Sequence, residues 1–402
     1  MRRLIGMGMG CVLMMAATWA WGEETQADSA PSAGSGQASS PQAKAEGPAK
    51  AEAAVEEGAA AKAEPPVMLF PIVKDGKWGY MDETGKVAIE PQYQLAWDFS
   101  EGMGTVASNA LRGFVDRTGN LVIPFQYGWA GKFSEGLARV DFHKNRFGTH
   151  IEWYRATTGR GYVDKTGKAV IRLGYGTPFA DFSDGVAVTR GGYIGKDGKP
   201  VSCEGEEGSF FSDGLAAVRK GALWGYIDRS MKLVIEPQFA AAREFSQGLA
   251  AVAQEGPGEK KQELKWGYID KSGKIVIPCE FRDADRFSEG LAAVLPELDV
   301  RDAGGASAGL LSEAAGKSWG YVNKEGMVPI KPRYDYAWPF SEGLGRVLVG
   351  EKQGYVDTSG RMVIEPKYDS AWEFSKGLGR VGVGNREGYI DHGGKYVWEP
   401  TE

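Results

Sequence analysis

The sequence predicts an all-β fold, a tandem-repeat array of short antiparallel three-stranded units. Three observations carry the prediction. The stretch at 75–93, DGKWGYMDETGKVAIEPQY, returns as LWGYIDRSMKLVIEPQF at 223–239 and as KWGYIDKSGKIVIPCEF at 265–281. A second mark, Phe-Ser-x-Gly, falls between copies of the first. Glycine supplies 58 of 402 residues, which suits a chain of tight turns better than one of long helices.

Each unit reads as three strands. The first is LARV or LAAV after Phe-Ser-x-Gly, the second WGYID, the third LVIEPQ. Asp and Gly set the turn between the second and third, Asp at the first position of a type I turn and Gly at the fourth. The pairs Asp82 and Gly85, Asp116 and Gly119, Asp164 and Gly167, Asp270 and Gly273, and Asp357 and Gly360 all fit. The third strand is apolar at successive positions, as in Leu233, Val234 and Ile235, which predicts burial on both faces. The proline that follows has no N–H and is expected to end the pairing.

The mark of the second strand is a glycine followed by an aromatic residue, at Gly79, Gly113, Gly161, Gly192, Gly225, Gly267, Gly320, Gly354 and Gly388. The shortest regular spacing is 34 residues. One unit of that length buries too little apolar surface to offset its ordering entropy, so neighbours must stack. A β-solenoid is the first arrangement expected and a closed β-propeller the second. Repeat four departs from the pattern, with Gly195 in place of Asp and KPVSCEGEEG, including Cys203, in place of the third strand.

The array begins near residue 66. Before it, MRR is followed by an uncharged apolar run and then AWG and EE, the layout of a secretory signal peptide over 1–22. The competing reading is an uncleaved anchor. Residues 23–65 are almost all Ala, Glu, Gly, Ser, Pro, Gln and Lys with no aromatic, the composition of a disordered linker. The formal charge of −6 becomes about −8 once Arg2 and Arg3 leave with the leader. An acidic chain with no basic block in its folded part argues against nucleic acid as a partner. Three cysteines do not make a disulfide framework.

The stretches KWGYMDETGKVAIEPQY, LWGYIDRSMKLVIEPQF, KWGYIDKSGKIVIPCEF and SWGYVNKEGMVPIKPRY resemble the WG-repeat family, also called KWG repeats. The resemblance covers 66–402, about nine units. It implies a bacterial β-rich repeat protein, often exported, with no shared catalytic residues to carry over, and therefore an interaction module.

Function is expected where the repeats differ. Seven positions separate the valine of the first strand from the marker glycine in regular units, as from Val106 to Gly113. The same interval is 21 from Val140 to Gly161, 15 from Val252 to Gly267 and 26 from Val294 to Gly320. All three extensions fall in one hairpin connection, so the long loops should share a rim. Phe142, Phe147, Trp153, Tyr154, Asp299 and Arg301 are the candidate binding residues of that rim. Tolerated loop growth explains the same extensions without function.

Trp97, Trp129, Trp338 and Trp372, each just before Phe-Ser-x-Gly, are expected in turns and partly exposed, where stacking on sugars is an option. The repeated Trp and Tyr of the strands read as core. His143 and His150 with Asp141 and Glu152 match no established metal spacing and read as a polar loop. The Asp turns lack the alternating acidic ligands of calcium loops. No nucleophile elbow, zinc helix or phosphate loop is present, and Cys203 and Cys279 are isolated.

The expectation is an exported, non-catalytic scaffold for protein–protein interaction in the cell envelope, with a surface glycan-binding module as the alternative. It is expected to be periplasmic, cell-surface or secreted and to need no cofactor or metal. The partner is an unidentified protein or a cell-surface glycan, and the membrane enters only if the leader stays uncleaved.

Overall fold

Repeat eight shows how one unit is built in the computed structural model, which describes residues 68–143, 157–174, 180–189, 192–256, 263–297 and 318–401. The expected leader and linker lie outside the described residues. Four strands, not three, form an antiparallel meander: a leading strand Tyr336–Ser341, a second Leu344–Val349, a third Lys352–Asp357 and a fourth Met362–Tyr368. The leading strand is the one the sequence did not suggest. Its Phe-Ser-x-Gly end is a hairpin turn in which Glu342 and Gly343 both take positive φ, 52° and 82°. Two left-handed residues in a row make the turn that matches strand twist, so Phe340 pairs with Gly345 and Ser341 with Leu344.

Among the described residues seven sheets hold the strands. In two of them one long strand, Leu121–Ser134 or Ile275–Ala284, is the fourth strand of one repeat and the leading strand of the next. The described array thus has nine units. Repeat four keeps only short strands, Val186–Thr189, Gly192–Gly195 and Pro200–Val201. Its leading position is marked by a bridge between Ser183 and Val186 and a hydrogen bond from the Ala180 amide to the Val188 carbonyl. Cys203 packs there among Tyr193, Phe211 and Val218.

Proline does not end the fourth strand. Pro237 lies inside Leu233–Phe239, where the register against the third strand shifts on either side of Tyr226. This irregularity explains the marker glycine. A Cβ on Gly225 would stand 2.3 Å from the Ile235 carbonyl oxygen and 2.7 Å from the Pro237 nitrogen. In this repeat the marker glycine and the proline are therefore the two sides of one close backbone approach.

Burial on both faces of the fourth strand is not observed. Ile235 is buried, but Val234 is 46% exposed. Burial alternates along the strand, so one face is covered and the other meets solvent. The second strand is the fully buried one: Leu249, Ala250, Ala251 and Val252 are all in the core.

The Asp turns form as expected. The Gly273 amide donates to the Asp270 carbonyl, and the Asp270 carboxylate accepts from the Ser272 and Lys274 amides and the Ser272 hydroxyl. Asp82, Asp116, Asp164, Asp228, Asp270 and Asp357 are all held below the usual carboxylate range, chiefly by the hydroxyl two residues on. A depressed folded-state pKa stabilises the fold above the unfolded value and is lost as pH falls through the folded one. Stability in urea should therefore hold steady from neutral pH to about pH 5 and fall progressively below about pH 4. A midpoint independent of pH down to pH 3 would contradict this assignment.

Neighbouring repeats are joined by a recurrent contact. The tyrosine after the marker glycine donates its hydroxyl to a leading-strand carbonyl of the next repeat: Tyr226 to Arg243 at 2.8 Å, Tyr268 to Asp285 at 2.8 Å, Tyr321 to Trp338 at 2.8 Å. Its ring meets the next repeat's phenylalanine, with Tyr268 and Phe287 centroids 4.8 Å apart. Burial pushes these phenols well above their ordinary range, so they stay protonated donors.

Repeat two has Phe114 at this position and no hydroxyl to give. Thr105 on the adjacent strand donates instead, to the Gly131 carbonyl at 3.0 Å. Thr105→Val should cost about 1–2 kcal/mol in urea unfolding, because a carbonyl loses its donor at a covered interface. Adding Phe114→Tyr should restore most of it. Equal stability of the single and double variants would show that the hydroxyl is not shared in this way.

The array closes on itself. Tyr389 of repeat nine donates to the Pro71 carbonyl of repeat one at 2.9 Å, and Thr401 donates to the Val73 carbonyl. Phe70, Ile72 and Met81 share a core cluster with Leu378 and Tyr389. Of the two arrangements the sequence left open, this end-to-end contact belongs to the closed propeller rather than an open solenoid.

Candidate functional site

Two places stand out on the ring. The first is the set of long connections between second and third strands. In regular units this connection is two residues, as at Asn109 and Ala110, both with positive φ. In repeats three, six and seven the same strands pair in the same register, Val140 with Gly161, Val252 with Gly267 and Val294 with Gly320. The stems of repeats six and seven are tied together: Lys265 forms an ion pair with Glu297. The Gly256 amide donates to the Glu263 carbonyl and closes the stem of repeat six.

Of the rim candidates, Phe142 is described. It sits on Leu137–His143, against Tyr127 and under the Arg172 guanidinium, whose carbon is 4.3 Å from the ring centroid. It is a half-buried part of the stem's packing rather than a free surface ring. Phe147, Trp153, Tyr154, Asp299 and Arg301 lie outside the described residues, as do His150 and Glu152. Asp141 faces Arg160 across the hairpin at 3.3 Å.

The second place is the row of leading-strand tryptophans. The sequence put Trp97, Trp129, Trp338 and Trp372 in turns. The first three instead lie in strands, Leu95–Ser100, Leu121–Ser134 and Tyr336–Ser341, and are half-buried. Each of the four has an arginine over its ring: Arg112 at 4.2 Å from Trp97, Arg139 at 4.9 Å from Trp129, Arg346 at 3.8 Å from Trp338 and Arg380 at 5.1 Å from Trp372. A guanidinium at that distance is attracted by the ring face and occupies it, worth about 0.5–1 kcal/mol at an exposed site. These arginines had no signal in the repeat marks; alternation along strands, which aims them at the tryptophans, was the cue available.

Trp372 is the most open of the four, 39% exposed. It borders a cavity of about 230 Å³ between repeats nine and one, with Leu69, Phe70, Ser375, Leu378, Arg380 and Tyr389 also in the wall. Cys279 is half-buried on its strand, and burial pushes its thiol up, away from the reactive thiolate.

The model of the WG containing repeat matches residues 78–109, 113–142, 206–224, 224–256, 266–295, 319–352 and 354–386, just over half of the chain. The chain belongs to the WG-repeat family. No curated protein matches this WG-repeat chain. Among solved structures, a eukaryotic initiation factor is 11% identical with a TM-score of 0.55, covering 83% of this chain and 96% of that one. That likeness is one of fold. Hsv2 of Kluyveromyces lactis is 8% identical, TM-score 0.30, covering 73% and 87%. PorZ, a surface component of the type-IX secretion system of Porphyromonas gingivalis, is 6% identical, TM-score 0.32, covering 83% and 39%.

Proposed function

We propose that this WG-repeat ring is an exported, non-catalytic scaffold for protein–protein interaction in the cell envelope, with the long connections of repeats three, six and seven as the specific surface. The observation that carries the reading is the tie between Lys265 and Glu297. It joins the stems from which two of the three extensions start, and a partner that uses both of them fits this tie. Loops on a rigid scaffold vary without disturbing the core and so are suited to recognition. Surface glycan binding is the alternative, and it has to work around arginines already seated on the tryptophans.

The test compares the full chain with a variant in which 257–262 and 298–317 are each replaced by Asn-Gly. Both are used as bait against the envelope fraction of the producing cell, and proteins and glycans are identified. A protein retained at fixed stoichiometry by the full chain and lost with the loops supports the proposal. Equal retention by the folded variant overturns it. Soluble glycans that quench tryptophan fluorescence would favour the alternative.

A further inference from the structure

We propose that a second, smaller cavity, where repeats nine, one and two meet, binds the C-terminal carboxylate of a partner protein whose last residue is apolar. The site follows from a pattern that the Phe-Ser-x-Gly turns repeat around the ring. The residue before the glycine reaches with its side chain to the glycine amide of the next repeat's turn. The Gly136 amide donates to Glu101 at 3.0 Å, Gly185 to Glu135 at 3.0 Å, Gly248 to Asp213 at 2.7 Å, Gly343 to Glu289 at 2.9 Å and Gly377 to Glu342 at 2.9 Å. A cation of that next repeat, one residue past the turn Asp position, comes to the same place. Lys165 lies 3.3 Å from the Glu101 carboxylate, Lys196 lies 3.1 Å from Glu135, and Arg229 pairs with Asp184. A carboxylate held by a backbone amide and a cation is thus the unit of this belt of turns.

Repeat two has the amide and the cation of this unit, Gly102 and Arg117, but the repeat before it brings no acid. Phe70 pairs with Met81 as Gly104 pairs with Val115, so the sequence position that matches Glu101 is Val67, and valine has no carboxylate. Repeat nine adds a second cation: Lys376 stands where repeats two, three, seven and eight have glutamate. Gly102, Arg117 and Lys376 line one cavity of about 150 Å³. Among the described residues neither Arg117 nor Lys376 forms a side-chain ion pair. Glu101 is also in the wall, but its carboxylate is already held by the Gly136 amide and by Lys165.

The rest of the wall says which carboxylate fits. Met68, Leu69 and Phe99 supply an apolar side next to the two cations. A chain terminus brings a carboxylate and an apolar side chain on the same Cα, so it meets both kinds of wall at once. An Asp or Glu side chain brings the charge alone. The larger cavity beside this one shares Leu69 and Lys376 but carries Asp98 and Glu373, so an anion is drawn to the smaller one. The site uses none of the long connections and stands apart from the rim.

The probe is a fluorescent peptide, GSGSL with a free C-terminus, and its binding to the full chain is read by anisotropy. The same peptide with a C-terminal amide, and GSGSG with a free C-terminus, run beside it. The expected result is saturable binding of the acid, a loss of about tenfold or more for the amide, and a loss of about fivefold for the terminal glycine. Lys376→Glu and Arg117→Thr bring in residues that repeat eight carries at these places, Glu342 and Thr358. Each should weaken the acid by about fivefold or more. Should a variant not fold, the comparison of acid and amide on the unaltered chain decides. The variant with both long connections replaced should bind as the parent does, which separates this site from the rim. No saturable binding, equal binding of acid and amide, indifference to both substitutions, or loss of binding with the long connections each overturns the proposal. So does equal binding by an amidated peptide with an internal aspartate, which would leave the chain terminus without a part.

Discussion

Gly267→Ala should destabilise the ring by about 3 kcal/mol or more, the upper end of what one added methyl does in a packed site. The new Cβ would lie 2.5 Å from the Ile277 carbonyl oxygen and 2.7 Å from the Cys279 nitrogen. Both are backbone atoms of Ile275–Ala284, so no rotamer change relieves the contact; the strand must move. It carries Phe281 and Ala284 into the core of the next interface, so the displacement is felt beyond its own repeat. Gly290→Ala is the control. Gly290 has φ of 83° with nothing near its absent Cβ, so alanine there meets only the left-handed backbone cost of about 1–2 kcal/mol. The two variants, compared in urea, should separate clearly. Equal losses would mean that the marker glycine serves backbone conformation, not clearance.

The contrast also shows what the sequence could and could not reveal. Turns are local, and their residues are chosen by φ and by side-chain acceptors, so the Asp turns were read correctly from Asp270 and Gly273 alone. The leading strand was missed because DYAWPFS has a proline and no clean alternation of apolar residues, and because its stability comes from the neighbouring repeat. The run of Leu233, Val234 and Ile235, now the fourth strand of its unit, suggested two buried faces. A run of branched residues fits a strand but does not say which face is covered, and Val234 faces out.

Closure was the hardest feature to read, since it joins residues over 300 positions apart. One signal existed. Phe70 stands where repeats two to nine all have Gly or Ala, and a large residue at a place of enforced smallness marks an exceptional interface. The candidate site divided in the same manner. The shared register of the long connections was legible from spacing alone, and the stems bear it out at Val252 and Val294. The arginines on the tryptophans were not, because they come from different strands and different repeats.

A closed ring and an open array respond oppositely to cutting and rejoining. In an open array the terminal repeat contributes one interface, and its removal leaves the others nearly as they were. Here repeat nine supplies two. Its Ala371, Phe374, Val381 and Ile390 pack with Tyr355, Ile364 and Tyr368 of repeat eight, while Leu378 and Tyr389 pack with Phe70 and Met81 of repeat one. Removing residues 370–402 would expose both faces, and the product should be insoluble or bind a hydrophobic dye, with no cooperative urea transition. A circular permutant keeps both. Thr401 touches Val73, and Met68 is five residues before it, about 17 Å of extended chain. A linker of about eight Gly and Ser residues therefore joins 401 to 68 without strain. Opened between Gly256 and Glu263, within a connection whose length varies among repeats, the permutant should unfold within about 2 kcal/mol of the parent. A permutant that fails to fold while the truncated chain unfolds cooperatively would mean that the ends do not meet in solution. In that case each repeat would depend chiefly on the one before it, and the Tyr389 bond to Pro71 would contribute nothing to the stability of the array.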